Sequence, residues 1–371
     1  MTTGHPAIQR AETHGTWIQQ AEQQIDTKRA KEELERMRAF GLEPAESIRD
    51  RNITLFNRVP VGYGHFGPFN PARFLEDMRE LGGQDVVFIG APYDGGTGFR
   101  SGARYGPQGM RSMSGMQRGF LPDFGVDLKE SLTMVDAGDV TVIPGNLEKS
   151  FDQIAKALSY AAERAVFPVV LGGDHSIGYP DVRGIAPYID GNIGIIHFDR
   201  HADTAEYGLD ERSHGTPFFH ATNIPNAPPA NLVQIGIGRS TGPRPMVRNA
   251  RERGTTFITM RDVERFGLDR VVEYALEVAW HNAKAVWISL DIDVVDPAFA
   301  PGTGSPVPGG FTSREILRLV SDVAKEGILG MEVVEVAPPY DSSDVTSLLG
   351  AWAILEVLGT LVQARKLGRV L

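Results

Sequence analysis

The stretch Ile193-Gly-Ile-Ile-His-Phe-Asp-Arg-His-Ala-Asp203 decides how the rest of this chain is read. A glycine-punctuated apolar run ends in Asp199, His201 and Asp203, three metal-ligand residue types at alternate positions. Side chains at i, i+2 and i+4 of an extended segment share one face. Two carboxylates and an imidazole are therefore expected to project together from the carboxyl end of a buried strand, where open α/β sheets bind their ligands. One such triplet arises readily by chance, and a polar loop with a satisfied histidine would look the same. Two further runs change the odds. Val286-Trp-Ile-Ser-Leu290 ends in Asp291 and Asp293, and Phe167-Pro-Val-Val-Leu171 ends in Gly172-Gly-Asp-His175. Three strand-like runs, each delivering acids or histidines at its end, are hard to explain as packing.

Composition bounds the chemistry. The chain has 371 residues, 42% hydrophobic and 23% charged, as in an ordinary globular enzyme. No run approaches the roughly 18 continuous apolar residues of a membrane span, and the N-terminus lacks the apolar core of a secretory signal. A cytoplasmic protein with no membrane partner is the default expectation. The absence of cysteine excludes disulfides, thiolate nucleophiles and sulfur-ligated metals. A net charge of −10 without a basic patch argues against nucleic acid and is compatible with a cationic substrate.

Residues 1–60 are expected to form an N-terminal helical extension, an interface or lid element, because Thr16 to Phe40 is rich in Gln, Glu, Lys, Ala and Arg. Residues 61–371 are expected to be one catalytic domain. Within it strand and helix patterns alternate. The strands are Asp85–Gly90, Leu132–Val135, Phe167–Leu171, Ile193–Phe198, Leu232–Gly236, Phe257–Ile258, Val286–Leu290 and Ile328–Val336. Helices are expected over 151–166, 271–280, 312–325 and 345–363, the third capped by Thr312 or Ser313. Such alternation implies a parallel sheet covered on both faces. The glycine-rich loop from Ala91 to Gly98 lacks the Gly-Lys-Ser/Thr of a P-loop; with Asp94 near its start, it is expected to line an active-site rim.

Four aspartates and two histidines make a hard nitrogen-and-oxygen donor set. It suits Mn, Ni, Co or Fe better than a structural zinc site. Four negative charges are excessive for one divalent ion but balance two. Two ions about 3.5–4 Å apart can share a hydroxide that attacks an unreactive trigonal carbon at neutral pH. The residues alone thus give a dinuclear metallohydrolase of unnamed substrate.

Gly172-Gly-Asp-His-Ser176, Asp199-Arg-His-Ala-Asp203 and Ser289-Leu-Asp-Ile-Asp-Val-Val-Asp-Pro297 resemble the three signatures of the ureohydrolase (arginase/agmatinase) superfamily. Ala298–Gly304 and Glu332–Asp341 extend the resemblance, which covers about residues 85 to 365 in order. It implies a three-layer α/β/α fold with a central eight-stranded parallel sheet, and assembly as a homo-trimer or hexamer. Carried over by motif, His175 and Asp203 each hold one metal, His201 and Asp293 the other, and Asp199 and Asp291 bridge. His214 matches the proton-shuttling histidine, and Glu335 the carboxylate that pairs with a guanidinium group; an unpaired Glu at a buried strand end would be costly. Asp174 is expected to hydrogen-bond near the ligands rather than bind metal, and Asp94 and Thr303 to contact substrate. Where arginases hold the amino-acid head of arginine, this chain has Ala205 and Glu206-Tyr-Gly-Leu-Asp210. Arg200, Leu209–Arg212, Phe219–Thr222 and the N-terminal arm resemble the nickel-dependent guanidine and metformin hydrolases. That implies a small guanidine or biguanide substrate, nickel ahead of manganese, and in some cases a paralogous second subunit. An agmatinase or guanidinobutyrase is the rival enzyme, and a non-catalytic subunit the rival of another class.

Overall fold

The computed structural model of the chain describes residues 69–116, 119–206, 212–238 and 244–368, together with 32, 35, 56 and 57. The expected N-terminal extension lies outside these but for those four residues, as do Tyr207 and the part of its loop up to residue 211.

Eight apolar runs become parallel strands. These are β1 (Val86–Gly90), β2 (Met134–Val140), β3 (Phe167–Leu171), β4 (Asn192–Phe198), β5 (Leu232–Ile237), β6 (Thr256–Thr259), β7 (Ala283–Asp291) and β8 (Gly330–Val334). Their order across the sheet is β2-β1-β3-β8-β7-β4-β5-β6, and every neighbouring pair is parallel. Two dipeptide strands lengthen the sheet at the outer edge of β2, Arg73–Phe74 parallel to it and Phe56–Asn57 antiparallel.

Alternate residues of each strand feed different faces. Phe88, Val169, Leu171, Ile196, Ile288 and Val333 join one core, with the helices Leu268–Ala279, Ser313–Ala324 and Val345–Gln363. Val87, Ile89, Val170, Ile195, Trp287 and Val334 join the other, with Leu147–Glu163 and Gly178–Ile185. Burial on both faces is why the strands read as continuous hydrophobic runs, and it yields the expected α/β/α layers. The helix Val345–Gln363 has the length and mean hydropathy (1.8) of a membrane span, but 72% of that window is buried inside the fold.

The helix starts follow from capping. The Asn146 side chain accepts from the Lys149 amide (2.9 Å), so the first long helix begins at Leu147, earlier than its apolar periodicity implied. Thr312 and Glu315 form a reciprocal capping box. A second correction concerns β2, which does not stop at Val135 but runs on through Asp136 and Asp139. The buried Arg111 guanidinium pairs with both carboxylates, 2.8 Å from Asp136. Acids that read as a loop are thereby tolerated inside the sheet.

Between β3 and β4 the chain skips two positions that β7 and β8 later fill. The adjacent strands β3, β8, β7 and β4 therefore end together on one edge, and from those ends come His175, Glu335, Asp291 and Asp199.

Candidate metal centre

Strand alternation is not what gathers the ligands. β4 ends at Phe198, and Asp203 sits in the left-handed region (φ 48°), so Asp199, His201 and Asp203 belong to a loop rather than an extended segment. Asp291 is the last residue of β7, and Asp293 lies in the 3₁₀ turn Ile292–Val294, which Asp291 caps by accepting from the Asp293 amide (2.8 Å). His175 opens another 3₁₀ turn, capped by Asp174. Gly173 lets that turn close on the first loop: a Cβ there would lie 1.8 Å from the Tyr93 carbonyl oxygen.

Among the described residues the six expected ligands form two groups that share Asp199, and a third group joins His197 to His175 and Asp199. His175 Nδ1 lies 3.0 Å from Asp291 Oδ2, 3.1 Å from Asp203 Oδ2 and 3.2 Å from Asp199 Oδ2. His201 Nδ1 lies 2.9 Å from Asp293 Oδ2 and 3.4 Å from Asp199 Oδ1. Within each group the candidate ligand atoms fall within 4.8 Å of one another. Asp199 offers one oxygen to each group; Asp291 faces the His175 group.

The electrostatics fit cations. Burial alone would lower His175, yet the carboxylates of Asp199, Asp203 and Asp291 raise it well above the usual imidazole range. Burial, Asp293 and Asp199 push Asp291 far up, and burial with Asp199 pushes Asp293 up to about 7 against the pull of His201. Asp199, despite its burial, is held well below the carboxylate range by His197, His175 and His201. Groups that compete this strongly for protons are groups a cation would satisfy. Four carboxylates and two neutral imidazoles balance two divalent ions.

His197 was missed by sequence reasoning, because it sits inside an apolar run. The available signal was its place two residues before Asp199. Gln234 Nε2 donates to its Nδ1 (2.7 Å), which leaves Nε2–H to donate to Asp199 Oδ2 (2.8 Å). With both nitrogens committed, His197 orients a ligand rather than serving as one.

Glu335 stands beside the cluster with φ 61°, a left-handed backbone uncommon outside glycine, held where its amide donates to the Gly173 carbonyl (2.8 Å). Its Oε1 accepts from the His175 amide (3.0 Å) and lies 3.0 Å from His214 Nδ1. Its Oε2 and the Thr303 hydroxyl are buried with no partner among the described residues. Burial would lower His214, but Glu335 raises it to about 9. Asp174 accepts from the amides of Gly96 (2.7 Å) and Ser176 (2.9 Å). Asp94 lines a cleft of about 520 Å³ beside His214, with its carboxylate committed to Arg104 (2.5 Å) and the Gly102 amide (2.8 Å). Arg200 is buried and donates to the carbonyls of Gly236 (2.6 Å) and Pro308 (3.1 Å), so it braces loops around the ligands.

Comparison with known proteins follows the same residues. A model of the arginase family matches residues 84–359. The chain is 39% identical to the proclavaminate amidinohydrolase of Streptomyces clavuligerus, over 76% of this chain and 90% of that protein. It is 38% identical to the mitochondrial agmatinase of Gallus gallus, over 75% of this chain and 82% of that one. The solved structure of the Streptomyces clavuligerus enzyme superposes with a TM-score of 0.73 at 36% identity, covering 81% of this chain and 99% of that one.

Proposed function

The chain belongs to the arginase family, and from that premise we propose that it is a two-metal hydrolase cleaving a C–N bond of a small guanidino compound. The observation that carries this is the meeting of two overlapping ligand groups with a buried oxygen of Glu335 that has no partner among the described residues. His175, Asp203 and Asp291 would hold one ion and His201 and Asp293 the other, with Asp199 offering an oxygen to each; the expected sharing of Asp291 is not what the geometry favours, since it faces the His175 group. The bound ion pair supplies the Lewis acidity that makes water nucleophilic near neutral pH.

The chain's own groups do the rest. Glu335 Oε2 accepts from the guanidinium cation in a charge-assisted hydrogen bond, and the Thr303 hydroxyl supplies a second polar contact. His214, protonated at neutral pH, stands 3.0 Å from Glu335 Oε1 and gives its proton to the departing amine. Asp174 keeps the loop that bears Gly96 against the histidine turn.

Within this class we propose a short substrate, guanidine or metformin, with nickel ahead of manganese. Support comes from the motif resemblance at Arg200 and around residues 205–222, not from the relatives, which are named for proclavaminate and agmatine. Those names, and the cleft of about 520 Å³ beside His214, favour a second reading: an agmatinase- or guanidinobutyrase-type enzyme taking a longer tail. The proposed assembly is a homo-hexamer or trimer, joined by a paralogous subunit if the chain alone is inactive. The test is product release by nickel- or manganese-loaded protein from metformin, guanidine, agmatine, guanidinobutyrate and arginine. Turnover of metformin or guanidine, fastest with nickel and negligible for arginine, is expected. Agmatine as the best substrate by kcat/KM would replace the short-substrate reading.

A further inference from the structure

One side of Glu335 is walled by a turn that is held from behind. Glu335 follows β8, and its Oε2 is buried with no partner among the described residues. The turn Thr303–Gly304 lies against that oxygen: a Cβ built on Gly304 would stand 3.3 Å from Oε2. The same Cβ would stand 2.9 Å from the Arg100 carbonyl oxygen, so the turn is pressed between the backbone at Arg100 and the acid. Thr303 forms an antiparallel bridge with Val336, the residue after Glu335. Its buried hydroxyl also lacks a partner among the described residues.

The side chain of Arg100 fastens this turn. Its Nη2 donates to the Thr303 carbonyl (2.7 Å) and its Nε to the Gly304 carbonyl (3.1 Å). Two successive carbonyls are thus met by one planar fork, a geometry that a lysine ammonium does not reproduce. The guanidinium also stands over the Tyr340 ring, 4.5 Å from its centroid, and the Tyr340 hydroxyl donates to the Ser101 carbonyl (2.9 Å). A cation over an aromatic face is attracted to it, so the fork is itself held in place. Gly302 is tied down without Arg100: its amide donates to the Thr346 hydroxyl (2.8 Å) and its carbonyl accepts from the Ala337 amide (2.7 Å). Loss of the Arg100 side chain therefore frees the Thr303–Gly304 end of the loop and not the whole of it. These partners of Arg100 are carbonyls and a ring, none of them a candidate metal ligand.

We propose that Arg100 is a positioning residue for the guanidino group: by holding Thr303 and Gly304 it fixes the gap between that turn and Glu335 Oε2, and so the fit of the cation. The inference rests on the reading above, in which Glu335 receives the guanidinium. Steady-state kinetics of the metal-loaded chain with guanidine, metformin, agmatine and guanidinobutyrate test it, beside metal content and amide hydrogen exchange. Arg100→Met should raise KM about 10-fold or more, the effect of loosening one hydrogen bond to a charged group. Its kcat should stay within about threefold of wild type, because a wall that serves ground and transition states alike contributes uniform binding. Metal content should equal that of wild type. Amides at 302–304 should exchange about 10-fold faster while those of β8 exchange as in wild type. Arg100→Lys, with one ammonium in place of the fork, should give a KM between the two. Gly304→Ala narrows the gap instead of loosening it, and should also raise KM without loss of metal. A wild-type KM in Arg100→Met or in Gly304→Ala would overturn the proposal, as would a fall in kcat and metal content at unchanged KM. Should Arg100→Met fail to fold, Arg100→Lys and Gly304→Ala decide by the same readings. A wild-type chain that hydrolyses none of the four compounds would instead overturn the guanidino-hydrolase reading on which this depends.

Discussion

Asp199 turns one oxygen to each ligand group, and its charge is held in place by three imidazoles. Replacing it with asparagine removes an anion from both groups at once. Asp199→Asn should lose one or both ions and activity by orders of magnitude, with the circular dichroism spectrum unchanged, because the residue sits beyond a strand end. His214→Ala should lower kcat by roughly 10²–10⁴-fold while metal content stays constant. His214 is raised to about 9 by Glu335, so the active protonated form should be lost, and the rate should fall, as pH rises through that value. The same shift stabilises the folded chain: fully below the ordinary value of 6.5, and no longer once pH passes about 9. In Glu335→Gln the alkaline limb should move to lower pH and KM should rise without loss of metal. The candidate ligands were legible because each follows an apolar run. His197 was not, since a polar residue inside such a run carries no local sign of what it will face across the sheet.

The elements place these side chains through their ends. Capping turns after β3 and β7 aim His175 and Asp293, and Gly173 allows the first to lie against the backbone at Tyr93. Gly173→Ala forces that backbone apart. It should cost about 1–3 kcal/mol, read as a lower urea midpoint, and should weaken metal binding as well. Thr312→Ala, at a helix start that offers no ligand, should cost about 1 kcal/mol through the lost cap and leave metal binding unchanged. Strand cores were readable from apolar runs, but boundaries were not. Asn146 moved a helix start, and Arg111 kept β2 extended through two aspartates, both by contacts that hydrophobic periodicity does not record.

The parallel order of the sheet brings residues more than a hundred positions apart onto one edge, and a site built this way is tied to the fold. Removing metal should therefore lower Tm, and restoring it should raise Tm in proportion to the logarithm of free ion above its dissociation constant. The family and its α/β/α layers were legible from motifs in order; the substrate's tail was not, because it depends on the cleft beside His214 and on loops that no motif spans. The most direct test of the account is the rate of product release from the best guanidino substrate, followed as metal is added stepwise to the metal-free chain. The account predicts activity that rises to a plateau at two ions per chain and is absent from Asp199→Asn. A plateau at one ion, or full activity without metal, would contradict it.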